Sequence, residues 1–310
     1  MKVKTILGVI LLVGIGIGTY VYQNRYSFFK YLPAIEDENL HDINGIICDN
    51  NGTPFNGRKK EISDDYMNIY SFKNGKLDGL NVVYYKDQIK EIGHWENDKQ
   101  NGIFKMYTED GILVDDCNFK DGVRDGITKQ FYSDTGKIKI LANYKAGVLN
   151  GELKQYYPNE QLQAEATYLD GAFEGEYKEY YENGNIKLFG VFKNKGTEAT
   201  MSFYTENEKI NTMYSLKNGM LNGIKEDYYE NGNLWKRQEF KDNHQEGIYE
   251  VYNIDGTPQL KAVIKDGYII KEQRFNKDGT SYEENDGIIV DQNININKSD
   301  SDITITEINE

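Results

Sequence analysis

His41, His94 and His244 are the only imidazoles in the 310-residue chain. They sit at unrelated places and form no HExxH pair, so two-histidine metal chemistry on one helix face has no footing. The phosphate-cradling pattern GxxxxGK[ST] and the nucleophile elbow GxSxG do not occur in the sequence. Carboxylates abound, 50 against 36 basic residues, and a retaining glycosidase needs only two about 5–5.5 Å apart. Pairs such as Glu176 with Glu179, or Glu226 with Asp227, read more simply as solvated strand faces. Cys48 and Cys117 lie far apart with no CxxC and no histidine at ligand spacing, so they read as two unpaired thiols unless the fold brings them together. The expectation is a protein that is not an enzyme, with no catalytic, metal or cofactor-binding residues and no cofactor.

The elements that would carry any such residues leave a clear mark on the composition. Thirty glycines against four prolines, with 25 tyrosines, describe a chain that turns often through flexible residues and buries rings while keeping hydroxyls wet. A formal charge of −14 repels phosphate backbones and anionic headgroups, which argues against nucleic acid as a partner.

One pattern about 24 residues long is rewritten along most of the chain. Taking the residue three before the first glycine of each unit as position zero gives Phe72, Trp95, Phe119, Tyr144, Tyr168, Phe192, Leu216, Phe240 and Ile264. Position twelve is aromatic in every unit through Tyr252: Tyr84, Tyr107, Phe131, Tyr156, Tyr180, Tyr204, Tyr228 and Tyr252. Position seven is glycine at Gly79, Gly102, Gly126, Gly151, Gly175, Gly223 and Gly247, and alanine at Ala199. The stretch after that glycine has strand composition. Asp110-Gly111, Asn183-Gly184, Asn231-Gly232 and Asp255-Gly256 then supply a turn that accepts positive φ. A second strand returns to position zero, where Asn74-Gly75, Asp121-Gly122, Asn218-Gly219 or Asp266-Gly267 reverses the chain again.

Each unit is therefore a β-hairpin, and the glycine at position seven marks a close approach of backbones. A lone hairpin is marginal in water, so stability must come from neighbouring units stacked along a ribbon. The aromatics at positions zero and twelve are the expected packing ladder. Tyr85, Tyr132, Tyr157, Tyr181 and Tyr229, one residue further on, are the expected binding face. The unit Phe192–Ser215 loses both glycines and reads as drift in a tolerant repeat, with a specialised site as the alternative.

The ends differ from this array. Residues 1–30 open with Lys2 and Lys4, followed by an uncharged run from Thr5 to Tyr22. At about 1.5 Å per residue that run reaches ~27 Å, close to a hydrocarbon core of roughly 30 Å. It reads as an uncleaved signal anchor forming one transmembrane helix, with a cleaved export signal and secretion as the alternative. The early positive charges place the N-terminus in the cytoplasm and the repeats outside it. No other segment has a helical period. Residues 31–44 read as a linker, 45–284 as the array with a partial capping unit at its start, and 285–310 as an acidic, frayed tail.

With the glycine pair, tyrosine pair and Asn-Gly turn in units such as "GVLNGELKQYYPNEQLQAEATY" and "GAFEGEYKEYYENGNIKLFGVF", the chain resembles MORN-repeat proteins, and more closely the bacterial MORN-variant type that includes the YwqK antitoxin family. The resemblance covers about Gly45 to Glu284. It implies an all-β, elongated array of antiparallel hairpins used as a scaffold or binding surface. Three functions follow as expectations. The first is a membrane-anchored scaffold presenting a β-ribbon to protein partners at the cell envelope. The second is an antitoxin or immunity-type protein that neutralises a toxin. The third is cell-wall or carbohydrate binding through exposed tyrosines stacked on sugar rings.

Overall fold

The computed structural model describes residues 28–36 and 39–289. Among the described residues, apart from the 3-10 turn Phe28–Tyr31 and a 3-10 residue at Asn39, the regular elements are β-strands joined as antiparallel hairpins, with one short parallel pairing. Contacts divide the chain into two units, Met1–Ile138 with Tyr144–Gly147, and Lys139–Asn143 with Val148–Glu310.

In the first unit the strand Gly57–Ser63 pairs with Tyr66–Lys73, and antiparallel neighbours continue through Gly79–Tyr85, Gln88–Glu96, Lys99–Tyr107 and Leu113–Lys120 to Gly126–Phe131. Ile69, Val82 and Ile92 are successive ladder partners and buried. Tyr84, Ile89 and Tyr107 join them in one cluster, and Phe29 of the 3-10 turn packs against it. The Arg58 guanidinium lies 5.1 Å from the Phe29 ring centroid, and Lys30 pairs with Asp87 at 2.9 Å. A separate hairpin, Leu40–Ile43 with Ile46–Asp49, precedes the array. It is tied to the first tight turn by Ile47 N–H donating to the Gly75 carbonyl at 2.9 Å.

These elements revise the expected boundaries. Phe28–Tyr31 belongs to the folded array rather than to the anchor, and strands at Ile35–Glu36 and Leu40–Ile43 occupy the segment expected as linker. The final strand, Ser281–Ile289, runs past residue 284. The expected transmembrane run from Thr5 to Tyr22 and most of the expected tail lie outside the described residues. Among the described residues no helix is long and apolar enough to cross a membrane.

The second unit carries Val148–Tyr156, Leu162–Leu169, Ala172–Tyr180, Ile186–Lys193, Glu198–Tyr204, Ile210–Lys217, Met220–Tyr228, Leu234–Lys241, His244–Tyr252, Pro258–Lys265, Tyr268–Phe275 and Ser281–Ile289. Each is antiparallel to the next. Leu153, Ala166, Tyr177, Gly190, Met201 and Tyr214 are successive partners across these strands, and all are buried on what we term the packed face. Bulky side chains there meet small ones. A Cβ on Gly190 would stand 2.9 Å from the Met201 sulfur and 3.2 Å from the Phe192 ring. Tyr168 and Phe192, at position zero, complete this core around Phe173, whose ring centroid is 4.6 Å and 4.9 Å from theirs. Burying side chains of this size stabilises by about 1.5–3 kcal/mol each.

In the second unit two kinds of turn alternate along the chain, a difference the sequence reading merged. At Asn218-Gly219 both residues have positive φ, 53° and 76°, the two-residue type I′ turn that suits the twist of the strands. At Asn183-Gly184 only Gly184 does, at 88°. There the Gly184 N–H donates to the Tyr181 carbonyl and the Tyr181 N–H to the Asn185 carbonyl, both at 2.9 Å. That is a type I turn closed by a left-handed glycine, and Asn183 serves by accepting the Asn185 N–H on its side chain at 2.9 Å.

Position seven is also corrected. Gly175 and Gly223 have φ of 95° and 100°, while the nearest atom to a Cβ on either is a side-chain carbon at 3.8 Å. Conformation, not backbone crowding, requires glycine there, and the ladder slips between Ala166 and Tyr168 opposite Gly175. Ala199 cannot take that conformation cheaply, and its strand pairs with Ile186–Lys193 without a register shift. The loop Asn194–Thr197 absorbs the difference, with positive φ at Asn194, Lys195 and Gly196.

Candidate interaction face

The expected packing ladder divides between the two faces of the sheet. Position zero lies on the packed face, whereas the position-twelve rings of the second unit point to the opposite, open face and are half-buried. Their hydroxyls are held by glutamates: Tyr180 donates to Glu165 at 2.8 Å, Tyr228 to Glu226 at 2.6 Å and Tyr252 to Glu250 at 3.0 Å. Burial, reinforced by these carboxylates, pushes the Tyr180 and Tyr228 phenols up to about 12. Tyr156 and Tyr204 are half-buried too. In the first unit Phe131 is half-buried, and Tyr84 and Tyr107 are buried in the cluster that Phe29 packs against.

The tyrosines expected to form the binding face are half-buried and engaged in the sheet. Tyr157 donates its hydroxyl to the Tyr180 carbonyl at 2.9 Å, Tyr181 to that of Tyr204 at 2.7 Å and Tyr229 to that of Tyr252 at 2.9 Å. Each bond reaches from one repeat into the next. In the first unit Tyr85 packs its ring 5.0 Å from Tyr66, and the Tyr132 N–H donates to the Lys137 carbonyl at 2.9 Å.

A different set of side chains gives the open face of the second unit its character. Its central row of ladder partners begins with Lys154, Glu165 and Lys178, and ends with Glu226, Arg237, Glu250 and Lys261. Opposite charges meet at both ends: Lys178 stands 3.6 Å from Glu165, and Arg237 2.7 Å from Glu226 and 3.4 Å from Glu250. The hydrogen bond to Glu226 raises the Arg237 pKa further. These pairs are half-buried on a solvent-facing sheet, and ion pairs at a surface contribute little each, about 1 kcal/mol or less. They do fix which positions are charged.

The row is interrupted between those ends by Phe189, Ser202 and Met213. In the row beside it, Glu152 and Glu176 give way to Thr200, Ile224 and Ile248 at position eight. The short side chains of Thr200 and Ser215 leave room on this face. A cleft of about 450 Å³ opens there, bounded also by Met213, Ile224, Ile248 and the Glu226–Arg237 pair. Met213, Ile224, Ile248 and Val263 keep 36%, 36%, 39% and 37% of their surface in solvent, and Trp235 keeps 44%. Apolar side chains concentrated like this on one stretch of surface mark an interaction site.

None of these apolar residues was singled out by sequence reasoning. Position eight gave no clean signal, because it reads Leu80, Ile103 and Ile127 in the first unit, Glu152, Glu176 and Thr200 next, and then Ile224 and Ile248. What marks the last two is that Met213 and Val263 lie on the same face beside them. Among the described residues no group of three or more His, Cys, Asp or Glu could hold a metal ion. Cys48 and Cys117 are both buried free thiols, and burial pushes the Cys117 thiol up to about 12.

Comparison with known families matches the MORN repeat variant at residues 100–121, 124–146, 149–170, 173–194 and 221–242. The chain thus carries repeats of this kind, and the matches pass over residues 195–220, which hold Ala199 and one side of the cleft, while Ile224, Glu226 and Arg237 on its other side lie within a matched repeat. No curated protein matches the chain at a significant level. Among solved structures, one described as "Crystal Structure of TcdB2-TccC3-Cdc42" is 10% identical, with 72% of this chain and 14% of that one covered and a TM-score of 0.19. Another, "Crystal Structure of TcdB2-TccC3 without hypervariable C-terminal region", is 9% identical, with 73% and 15% covered and a TM-score of 0.18. The chain spans only about a seventh of the length of those proteins, and likenesses this slight carry no argument.

Proposed function

We propose that this protein is a non-catalytic repeat scaffold that binds a protein partner on the open face of the repeats between Glu198 and Lys265. The observation that carries this reading is the cluster of Met213, Ile224 and Ile248 lining the cleft, with Val263 paired beside Ile248, on a face that is charged at Glu152, Lys154, Glu176 and Lys178. A photo-crosslinking residue at position 248 should give a discrete adduct that Ile224→Glu abolishes, while the same probe at position 176 gives none. Equal adducts from both positions, or none from either, would remove the face from consideration.

The uncharged run from Thr5 to Tyr22 supports anchoring to a membrane, with the repeats outside the cytoplasm. A reporter active only outside the cytoplasm, fused after residue 310, checks the side. A mature N-terminus near Thr19 by mass spectrometry would replace the anchor with secretion. Neutralisation of a toxin is the specific form of protein binding that the YwqK resemblance adds. Sugar binding through Tyr157, Tyr181 and Tyr229 has less support, because their hydroxyls are already bonded to backbone.

A further inference from the structure

On the open face, Ile224 and Ile248 occupy the same place in consecutive repeats, two strands apart. Strands lie about 4.8 Å apart, so equivalent side chains recur every ~9.6 Å along the array. Lys217, Lys241 and Lys265 recur with the same period along one border of this strip, at the strand ends beside the tight turns, and all three are exposed. No carboxylate among the described residues forms an ion pair with any of them; Glu198 faces Lys217 in the ladder without one. The other border is electrically satisfied, because Glu226, Arg237, Glu250 and Lys261 pair among themselves. Glu239, between the isoleucines, turns its carboxylate onto the Ile248 N–H at 3.2 Å. The strip therefore has Ile224 and Ile248 along its middle, with Glu239 folded onto the backbone between them, and the exposed ammonium groups of Lys217, Lys241 and Lys265 along one edge, where Asp242 and Asp266 follow two of them in the turns.

A β-strand laid along the array would present one face every ~6.6–6.8 Å and fall out of step with that period, while a polyproline II segment, repeating every ~9.3 Å, would keep step and is the competitor that a proline-bearing peptide tests. An α-helix rises about 1.5 Å per residue, so residues seven apart are ~10.5 Å apart, within about an ångström of the repeat. We infer that the partner segment is an amphipathic helix lying along the array, with aliphatic residues at heptad spacing over Ile224 and Ile248 and acidic residues flanking them over Lys217, Lys241 and Lys265. This rests on the binding face proposed above and adds to it the shape and charge of what binds.

The test uses the full chain and labelled designed peptides of about three heptads, read by fluorescence anisotropy. One peptide has leucine at the two apolar heptad positions and glutamate on one flank, a second has lysine in place of glutamate, and a third carries internal prolines that forbid a helix. The glutamate helix should bind at least about tenfold more tightly than the lysine helix, and Lys217→Glu with Lys241→Glu should reverse that order. Ile248→Glu should weaken both helices. Equal binding of the two helices, or of the proline peptide, overturns the inference while leaving the face as a protein-binding site. Failure of all three peptides overturns it as well, and crosslinking at position 248 then decides the face separately. Binding of anionic vesicles that depends on Lys217 and Lys241 but is indifferent to Ile248→Glu would assign the lysines to a different ligand and also overturn it.

Discussion

The hydroxyl of Tyr181 donates to the backbone carbonyl of Tyr204, 23 residues further along, at 2.7 Å. Tyr157 with Tyr180 and Tyr229 with Tyr252 repeat the bond at the same separation. Thr205 stands at the equivalent place in the divergent repeat and has no ring with which to reach its successor.

Removing one of these bonds should be measurable without disturbing packing. Tyr181→Phe is expected to lower stability by about 1 kcal/mol, the net worth of an ordinary hydrogen bond. Tyr181→Ala, which also loses the ring contact, should be at least as damaging as Tyr180→Ala, since both rings are half-buried. Urea titration checks the order. A Tyr180→Ala variant clearly less stable than Tyr181→Ala would place the weight on the open-face ring instead.

Gly190 and Met201 should behave as a coupled pair. Gly190→Ala drives a methyl group toward the Met201 sulfur and the Phe192 ring, an overpacking expected to cost about 1–3 kcal/mol. Met201→Ala alone leaves a cavity costing about 2–5 kcal/mol. The double variant should lose less than the sum, because the new methyl fills space that methionine vacates. Additivity within about 0.5 kcal/mol would show that the two do not compete for that space.

High pH should unfold the protein through its phenols. Burial is the leading cause that pushes Tyr84, Tyr180, Tyr214 and Tyr228 up to about 12, against about 10 in an unfolded chain. The folded state thus favours the neutral phenol. That stabilisation is fully present below about pH 10 and is lost as pH rises through about 12. Tyrosinate absorbance from these rings and loss of the β signal should rise together in that window. Complete ionisation of the tyrosines near pH 10 with the fold intact would contradict the burial.

Ile248→Glu should leave the fold nearly unchanged. The side chain is exposed on the open face, and surface substitutions of this kind stay within about 0.5 kcal/mol. A thermal transition within error of the wild type would allow lost crosslinking to be read as lost contact. A large drop in stability would mean that the strip is internal packing.

The hairpin period was legible because it is written in backbone chemistry. Asn218-Gly219 and Gly184 announce turns through residues that tolerate positive φ, and a 24-residue spacing leaves few ways to stack the strands between them. What escaped was whatever depends on the neighbour rather than on the residue. Gly190 looks like an ordinary strand glycine until Met201 is opposite it. Tyr181 looks like a free ring until Tyr204 arrives from the next repeat. Tyr168 is paired with Phe173, and Tyr180 stands an odd number of residues beyond Phe173, so Tyr168 and Tyr180 fall on opposite faces; that follows from the register across the turn and is not written in either strand alone. The Ile224–Ile248 strip was hidden for a related reason: each isoleucine is unremarkable in its own strand and in its column, and only the strands beside it bring Met213 and Val263 to the same face.

The tyrosine bonds all point one way. In each of the three, a hydroxyl reaches forward to the following repeat. Such a joint is grammatical in the sense that every unit offers the same ending and accepts the same beginning. Duplicating or deleting a whole unit between Tyr157 and Tyr204 would leave a joint identical to those already present. A gene can therefore lengthen or shorten the array by whole copies with little structural penalty, whereas inserting a single residue between Tyr181 and Tyr204 would break the forward bond and throw the strand it enters out of step.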